Sequence, residues 1–492
     1  MFGQTSHSSL TMSLTRRNFL KVSALASTAV ASPLLVPQSA FGANETIHVG
    51  VVGLGGRGTW SHVPEFSALP NVKVVALADP DKPRMGAAAK WMQDNNHLHQ
   101  VDHYEDFRDM YDRSDIQAVA VATMNYWHGL NTIWACQSGK HVFCEKPLSH
   151  FIWEGRQMVN AARKHSRIVQ HGTQLRSLGA VRDAIAWIQA GNLGKIKYVT
   201  AYANKPRTPI GNRTEPLPLP DGFNYDLWCG PAQDGPIYRD RLQYDCSFTW
   251  NMGDGESLNQ GVHQIDVARW VLGDFEEMPR RVISLGGRFL FNDQGDVPNT
   301  QIIYYDYPEV PILYEVHNLR VAKNSNEVLK FRGFSQDGVV VDCEGGWVGI
   351  DHTNRSIAYD KENKEIRSWN GGGNVFANFM DAVRAGNPDL LDADILKGHI
   401  SNRIGHTGNI SYRLGQKADV KAQKKAIENY PFMVEMHQRY LDHLAAHDID
   451  PAETILGEWL ACNTEYECFV DNAEANKLVK GFYREPYRVE EI

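Results

Sequence analysis

The segment that decides the fold reads Ile47-His48-Val49-Gly50-Val51-Val52-Gly53-Leu54-Gly55-Gly56-Arg57-Gly58. Its first half is a short apolar run, which is typical of a buried parallel strand. Its second half spells GxGxxG, in which Gly53 permits a tight turn, Gly55 lets the backbone approach a pyrophosphate, and Gly58 lets the next helix pack closely. The N-terminus of that helix would supply N–H groups for the phosphates. The segment therefore predicts a dinucleotide site that also includes Gly56 and Arg57.

The next apolar run supports this interpretation and indicates which dinucleotide binds. Val72–Ala78 follows helix-compatible sequence and ends in Asp79. An acid at the end of the second strand can bind both ribose hydroxyls, and it repels a 2′-phosphate. The sequence therefore favours NAD over NADP. A glycine turn in an α/β fold that binds no nucleotide remains the alternative.

Polar side chains follow two further predicted strands, Ala118–Ala122 and His141–Cys144. In doubly wound sheets, ligands bind beyond the carboxyl ends of the strands. The residues predicted to line the cofactor site there are Thr123, Asn125, His128, Glu145 and Lys146. A desolvated lysine beside a nicotinamide can polarise or protonate a substrate oxygen. The alternative for Lys146 is a surface lysine before a helix-starting proline.

The main catalytic candidate lies in the second half of the chain, in the segment Gly255–Asp266. Asn259 and His263 are four residues apart, which predicts that both side chains lie on one face of a helix. His263 can take or give a proton near neutral pH. Asp266 comes three residues later, where it could orient the His263 ring or cap a neighbouring loop. The alternative is a structural histidine on an amphipathic helix.

The chain resembles the Gfo/Idh/MocA oxidoreductase family in four features that follow one another in order. They are the glycine loop, Asp79, the Asn125-to-His128 pair and the tripeptide Glu145-Lys146-Pro147. That family includes glucose–fructose oxidoreductase and inositol dehydrogenase. The resemblance covers nearly the whole mature chain, and later segments such as Tyr483–Arg488 resemble its exported bacterial branch. It implies an N-terminal Rossmann domain and a C-terminal α+β domain with a large, mostly antiparallel, open-faced sheet.

The resemblance also implies the roles of individual residues. Lys146, His263 and Asn259 would be the catalytic residues, although the family has an aspartate where this chain has Asn259. An asparagine can hydrogen-bond a hydroxyl, but it cannot accept a proton as a base. The expected substrate contacts are Trp127, stacked on a sugar face, with Gln174, Arg176, Lys205 and Asp266.

Composition limits the class of protein. The chain has 492 residues, of which 42% are hydrophobic and 22% charged, an ordinary globular composition with a net charge of −8. Without a basic field, no nucleic-acid partner is expected. The seven cysteines form no CxxC pair and HExxH is absent, so no metal site is predicted.

An export signal is predicted at the start of the chain. Arg16 and Arg17 are followed by Phe-Leu-Lys and by a weakly apolar stretch that two prolines interrupt. This pattern is typical of a twin-arginine signal and is too weak for a membrane span. The predicted division is a signal and linker (1–45), a dinucleotide domain (46–168) and a substrate and oligomerisation domain (169–492), of which 417–492 is a peripheral helical extension and tail.

These observations favour a periplasmic or secreted oxidoreductase that holds NAD tightly and acts on a sugar, cyclitol or glycoside. The export machinery and a second copy of the chain are its expected partners. Two alternatives remain open. One is a glycoside-cleaving enzyme that oxidises its substrate only transiently, and the other is a non-catalytic protein that binds a sugar or the cofactor.

Overall fold

The computed structural model describes residues 45–492, so the predicted export signal lies outside the described residues. Two sheets organise this part of the chain. Among the described helices, none is both long and apolar enough to cross a membrane.

The first sheet has six parallel strands in the order β3-β2-β1-β4-β5-β6. The strands are β1 (Ile47–Val52), β2 (Val72–Ala78), β3 (Asp102–Tyr104), β4 (Ala118–Val121), β5 (His141–Cys144) and β6 (Val169–His171). The four apolar runs predicted as strands are β1, β2, β4 and β5, with β4 one residue shorter than expected. The helices around this sheet are Val63–Ser67, Lys82–Asp94, Phe107–Tyr111, His128–Gln137 and Ile152–Lys164. The order reverses between β1 and β4, which is where a doubly wound sheet opens a crevice for a ligand.

The second sheet has twelve strands and is mostly antiparallel, with one parallel pair between β7 and β10. Its main strands are β7 (Ile196–Ala203), β8 (Arg281–Gly287), β9 (Thr300–Asp306), β10 (Ile312–His317), β11 (Asp337–Cys343), β12 (Gly346–Asp351), β13 (Arg355–Asp360) and β14 (Glu365–Asn370). Together the two sheets confirm the predicted fold class. The predicted strand Val328–Phe331 does not form; Phe331 makes only an isolated bridge to Ser335.

Helices cover both faces of the second sheet. One face packs against Gly179–Gln189, Gly261–Val271 and Ile395–Arg413. On the other face, Met433, Met436 and Tyr440 of the helix Pro431–Ala445 pack over β8, β9 and β10. The expected open face is therefore covered along these strands.

The segment 417–492 is more integrated than a peripheral extension. It contains the helices Val420–Ile427, Pro431–Ala445 and Ala473–Lys480, but also the short strands β15 (Gln416–Lys417), β16 (Ile455–Leu456), β17 (Leu460–Asn463) and β18 (Cys468–Phe469). β16 and β17 both pair with β8 and so extend the large sheet. Buried apolar residues on these elements explain the difference, because they need the sheet to cover them.

Two distant segments return to the first sheet. The helix Val375–Ala385 packs there through Phe376, whose ring stacks on Phe143 of β5 at 4.8 Å. Near the C-terminus, Tyr487 packs edge-on against Trp127 at 5.3 Å. The remaining helices are Tyr225–Cys229 and Glu256–Asn259, and both lie beside the candidate site.

Candidate active site

The glycine loop has the shape that a pyrophosphate needs. Gly53 has φ +84°, and a Cβ there would lie 2.6 Å from the Thr123 backbone nitrogen. A Cβ on Gly58 would lie 1.9 Å from the Gly53 carbonyl oxygen. By contrast, Gly55 and Gly56 have no atom within 4 Å of the corresponding position, so they face open space. Two glycines close the turn and two leave room for phosphates, as the motif predicts.

Asp79 is buried beside this loop. Its carboxylate accepts hydrogen bonds from the backbone N–H groups of Leu54 (2.6 Å) and Asp81 (2.9 Å). Burial raises the pKa of Asp79 to about 6, and these two hydrogen bonds oppose the rise. The group lines the cavity next to the glycine loop, where it can accept hydrogen bonds from ribose hydroxyls.

A single cavity of about 380 Å³ joins the glycine loop to the second half of the chain. On one side it is lined by Gly53, Gly55, Gly56, Arg57, Asp79, Thr123 and Asn125. Lys146, which follows β5, and Asn259, which ends the helix Glu256–Asn259, both line it. Leu227, Trp228 and Tyr244 close the opposite wall. These residues fit a dinucleotide whose nicotinamide end lies near Lys146.

Glu145 anchors the loop that carries Lys146. Its carboxylate accepts from Arg57 Nε at 2.5 Å and lies 3.1 Å from His62 Nε2. Burial alone would raise the pKa of Glu145, but His62 and Arg57 hold it well below the ordinary range. The pair ties β5 to the glycine loop, so Glu145 is positioned by ion pairing rather than free to titrate.

Lys146 contacts a helix from the second half of the chain. Its Nζ donates to the Asn259 carbonyl oxygen at 2.6 Å. Burial lowers the pKa of Lys146 below its ordinary value, while Glu145 and Glu256 partly oppose this. A lysine in this state can exchange a proton nearer to neutral pH than a solvated lysine can.

His263 is buried close by. Burial, His352 and Lys146 all lower the pKa of His263, which lies well below its ordinary value. The ring is therefore neutral at pH 7, and its Nδ1 is buried with no hydrogen-bond partner. The ring of His352 meets it edge-on at 5.0 Å. A neutral imidazole can accept a proton from a substrate hydroxyl.

The helix that was predicted to carry Asn259 and His263 together is interrupted. Asn259 ends the short helix Glu256–Asn259, and His263 lies on Gly261–Val271, with a turn at Gln260 between them. Gly261 is required at this junction because a Cβ there would lie 1.5 Å from the Tyr314 hydroxyl.

A polar cluster surrounds Asn259. Its Nδ2 donates to the Tyr244 hydroxyl at 2.7 Å and lies 3.4 Å from Glu256 Oε2. Glu256 is fully buried and accepts two hydrogen bonds from Arg207, at 2.9 and 2.8 Å. A carboxylate is thus present one helical turn before the asparagine, and it is already paired with a guanidinium.

The structure corrects two predicted substrate contacts. Arg176 donates to both oxygens of Asp266, at 2.7 and 2.9 Å, and also binds Asp274. Arg176 and Asp266 are buried and do not line the cavity, because a bidentate charge-assisted pair satisfies both. Asp266 also accepts from Ser401, so it does not orient His263 through a hydrogen bond.

His128 and Trp127 also differ from their predicted roles. The His128 ring lies between the carbonyl oxygens of Pro147 (2.7 Å) and Thr123 (3.0 Å), so it supports two loops from behind and does not itself line the cavity. Trp127 borders the cavity, but its ring is buried and Nε1 donates to the Leu227 carbonyl at 3.1 Å. It therefore supports the wall and offers no open face to a sugar.

The other predicted contacts lie nearer to the site. Asn125 lines the cavity and donates to Asp254, and Thr123 lines it with a buried hydroxyl that has no partner. Gln174 Nε2 lies 3.4 Å from Glu145, and Lys205 Nζ donates to Gln260 Oε1 at 2.7 Å. Sequence reasoning missed Tyr244, Arg207, Glu256 and His352. Only Glu256 carried a signal, as an acid one turn before Asn259.

The comparisons with known proteins agree with this architecture. The model of the Gfo/Idh/MocA family, described as an oxidoreductase family with an NAD-binding Rossmann fold, matches residues 47–173. The match spans the parallel sheet from β1 to β6, so this part of the chain is similar to the NAD-binding Rossmann fold of that family.

Two curated relatives match parts of the chain of different length. A levoglucosan dehydrogenase from Pseudarthrobacter phenanthrenivorans is 25% identical over 265 residues, which are 49% of this chain and 57% of the relative. A glycosyl hydrolase family 109 protein from Saccharopolyspora erythraea is 33% identical over 131 residues, 26% of this chain and 28% of the relative. The chain thus spans less than two thirds of the length of these curated relatives.

Solved structures share the fold. A levoglucosan dehydrogenase in complex with NADH and levoglucosan has a TM-score of 0.54 at 16% identity, covering 74% of this chain and 96% of that one. The WlbA dehydrogenase from Bordetella pertussis, in complex with NADH and UDP-GlcNAcA, has a TM-score of 0.53 at 18% identity, covering 75% and 97%.

Proposed function

We propose that the protein is an NAD-dependent oxidoreductase acting on a CH–OH group of a sugar, cyclitol or glycoside. The observation that carries this proposal is the single cavity that joins the glycine loop and Asp79 to Lys146. The relatives named above include a dehydrogenase of a sugar derivative and structures bound to NADH, which supports the same class of reaction.

Bound NAD would accept or return a hydride at its nicotinamide ring. The chain's own residues then have to move the hydroxyl proton of the substrate. Lys146, with a lowered pKa, lies where it can bind the reacting oxygen and exchange its proton. Neutral His263 makes no ion pair and lies behind the cavity lining, on the helix that follows Asn259, and we propose that it takes the hydroxyl proton. The Asn259 side chain cannot take this proton, but its backbone carbonyl oxygen accepts a hydrogen bond from Lys146 and so positions the amine.

Substitution of these two residues tests the proposal. Lys146→Met and His263→Asn are each expected to lower turnover by about 10²–10⁴-fold, which is the usual contribution of positioned acid–base groups. NADH binding, followed by nicotinamide fluorescence, should persist in both variants. Lys73→Met is the matched control, because this exposed lysine of β2 does not line the cavity. Unchanged turnover in both variants would contradict the roles assigned to Lys146 and His263. Absence of NADH binding by the wild type would contradict the function itself.

The second candidate function is glycoside cleavage through transient oxidation with no net redox change. The glycosyl hydrolase family 109 relatives favour it, and so does the absence of an ionisable side chain at Asn259. Polyols, aldoses and aryl glycosides offered to the NAD-loaded protein separate the two reactions. Net nicotinamide reduction supports the dehydrogenase, and aglycone release without net reduction supports cleavage. A non-catalytic sugar-binding or cofactor-binding protein would give neither signal.

Retention of the cofactor is part of the proposal. Free NAD is scarce outside the cytoplasm, so an exported enzyme needs to keep its cofactor and recycle it. The helix Tyr225–Cys229 is held over the cavity by Tyr126, whose hydroxyl donates to the Trp228 carbonyl at 2.9 Å. Asn224, at the start of this helix, donates to Glu105 beside the cavity at 2.8 Å. These contacts support a cofactor that stays bound. From the predicted signal and the resemblance, we further propose that NAD is loaded before twin-arginine export and that the protein is a periplasmic or secreted homo-oligomer.

A further inference from the structure

We propose that Tyr244 is a substrate-binding residue, whose hydroxyl donates a hydrogen bond to an oxygen of the bound sugar or polyol. This inference rests on the proposed function and deepens it, because it assigns a specificity contact that no sequence motif indicated. Tyr244 lines the cavity together with Lys146 and Asn259.

The hydrogen bonds around Tyr244 decide which way its hydrogen points. A phenol has one hydrogen to donate and two lone pairs that accept. The Tyr244 oxygen accepts from Asn259 Nδ2 at 2.7 Å and from Arg207 Nη2 at 3.3 Å. Glu256 Oε2, 3.4 Å from the same Nδ2, supports this orientation of the Asn259 amide, because a carboxylate only accepts.

Both lone pairs are therefore occupied and the hydrogen is left over. Within residues 45–492, the Tyr244 hydroxyl donates to no protein acceptor. Tyr244 lines the cavity and 45% of the residue is exposed, while its oxygen accepts hydrogen bonds from two donors. The hydroxyl hydrogen is thus available to a ligand oxygen.

The neighbouring donor defines the chemistry of the ligand. Lys146 Nζ is bonded to the carbonyl of the same Asn259 whose amide holds Tyr244. The Lys146 ammonium is held by the backbone of Asn259, and the Tyr244 hydroxyl is held by its side chain. These two donors can each bind a different oxygen of one molecule. Neighbouring hydroxyl or carbonyl oxygens are what a sugar or a cyclitol presents.

The asparagine is essential to this arrangement. An aspartate at position 259 would offer only acceptors, so it would take the Tyr244 hydrogen instead of leaving it free. The replacement of the family's aspartate by Asn259 then has a consequence for binding, as well as for proton transfer.

The test uses NADH-loaded protein and calorimetric titration with glucose, myo-inositol and the monodeoxy analogues of glucose. Tyr244→Phe is expected to weaken binding of the intact ligand about tenfold, the effect of one lost hydrogen bond with a well-placed partner. With one particular deoxy analogue the wild type and the variant should bind equally, because the contact is already missing. Asn259→Asp should abolish the difference made by Tyr244→Phe. Tyr466→Phe, at a residue that is 69% exposed, is the control.

Each outcome distinguishes the inference from the proposed function. If Tyr244→Phe weakens binding of every analogue equally, the residue has a packing role and the inference is overturned. Unchanged binding in Tyr244→Phe would also overturn it, and so would failure of the wild type to bind any of these ligands. Hydride transfer by the wild type with no effect of Tyr244→Phe would leave the proposed function intact. An analogue-specific effect without hydride transfer would refute the proposed function alone.

Discussion

Gly58 and Gly55 of the GxGxxG loop have different roles: the first is needed for folding and the second for binding. Gly58 has no space for a side chain, since a Cβ would lie 1.9 Å from the Gly53 oxygen. Gly55 has free space in the same loop. Gly58→Ala is therefore expected to destabilise the protein by about 3 kcal/mol through overpacking against backbone. Gly55→Ala should leave the thermal midpoint unchanged but weaken NADH binding about tenfold, because the new methyl occupies phosphate space.

Thermal denaturation and NADH titration of the two variants check this prediction. Gly139→Ala, at a turn with open space but a φ of +78°, reports the cost of backbone strain alone. Equal loss of stability in Gly55→Ala and Gly58→Ala would show that the loop is not divided in this way.

At the scale of an element, the C-terminal tail holds the helix Tyr225–Cys229 that closes the cavity. Arg484 donates to the Asp226 side chain (2.5 Å) and carbonyl oxygen (2.7 Å), and to the Gly230 carbonyl at 3.0 Å. Three contacts from one planar guanidinium fix the helix to the tail. Arg484→Ala should therefore raise the rate of NADH release by about tenfold, on the scale of one to two lost hydrogen bonds.

A chase of bound NADH with excess NAD, followed by fluorescence, measures that rate. Arg488→Ala is the matched control, because both side chains of its ion pair with Glu485 are exposed to solvent. An unchanged release rate in Arg484→Ala, with the thermal midpoint preserved, would show that the helix does not limit escape of the cofactor.

Elements also show where sequence reasoning succeeds. The strands β4 and, apart from His48, β1 are apolar because both faces of a parallel sheet are covered, and such runs are visible without a structure. Phe331 misled the prediction of a strand, since its apolar side chain stacks on Tyr202 at 4.8 Å instead of joining a ladder. The turn at Arg332, with φ +48°, ends the run.

The candidate site was predictable where motifs are contiguous and not where partners meet only after folding. The glycine loop, Asp79 and Lys146 each follow a recognisable strand. Arg176 and Asp266, in contrast, are 90 residues apart, and nothing local reveals that each neutralises the other. Tyr244 lies in a loop with neither periodicity nor motif, so only its contact with Asn259 identifies it.

At the scale of the whole molecule, the proposal links a retained cofactor to the predicted export signal. Substituting both Arg16 and Arg17 by lysine should block export, because lysine does not reproduce the guanidinium that this signal requires. The wild-type chain should reach the periplasm of a bacterial host with about one NAD per chain, whereas the double variant should remain in the cytoplasm, folded and equally loaded. Cell fractionation and nucleotide release by denaturation measure both quantities, and a host without the twin-arginine translocase is the control. Periplasmic protein without nucleotide would contradict loading before export, and unchanged export of the double variant would contradict the signal.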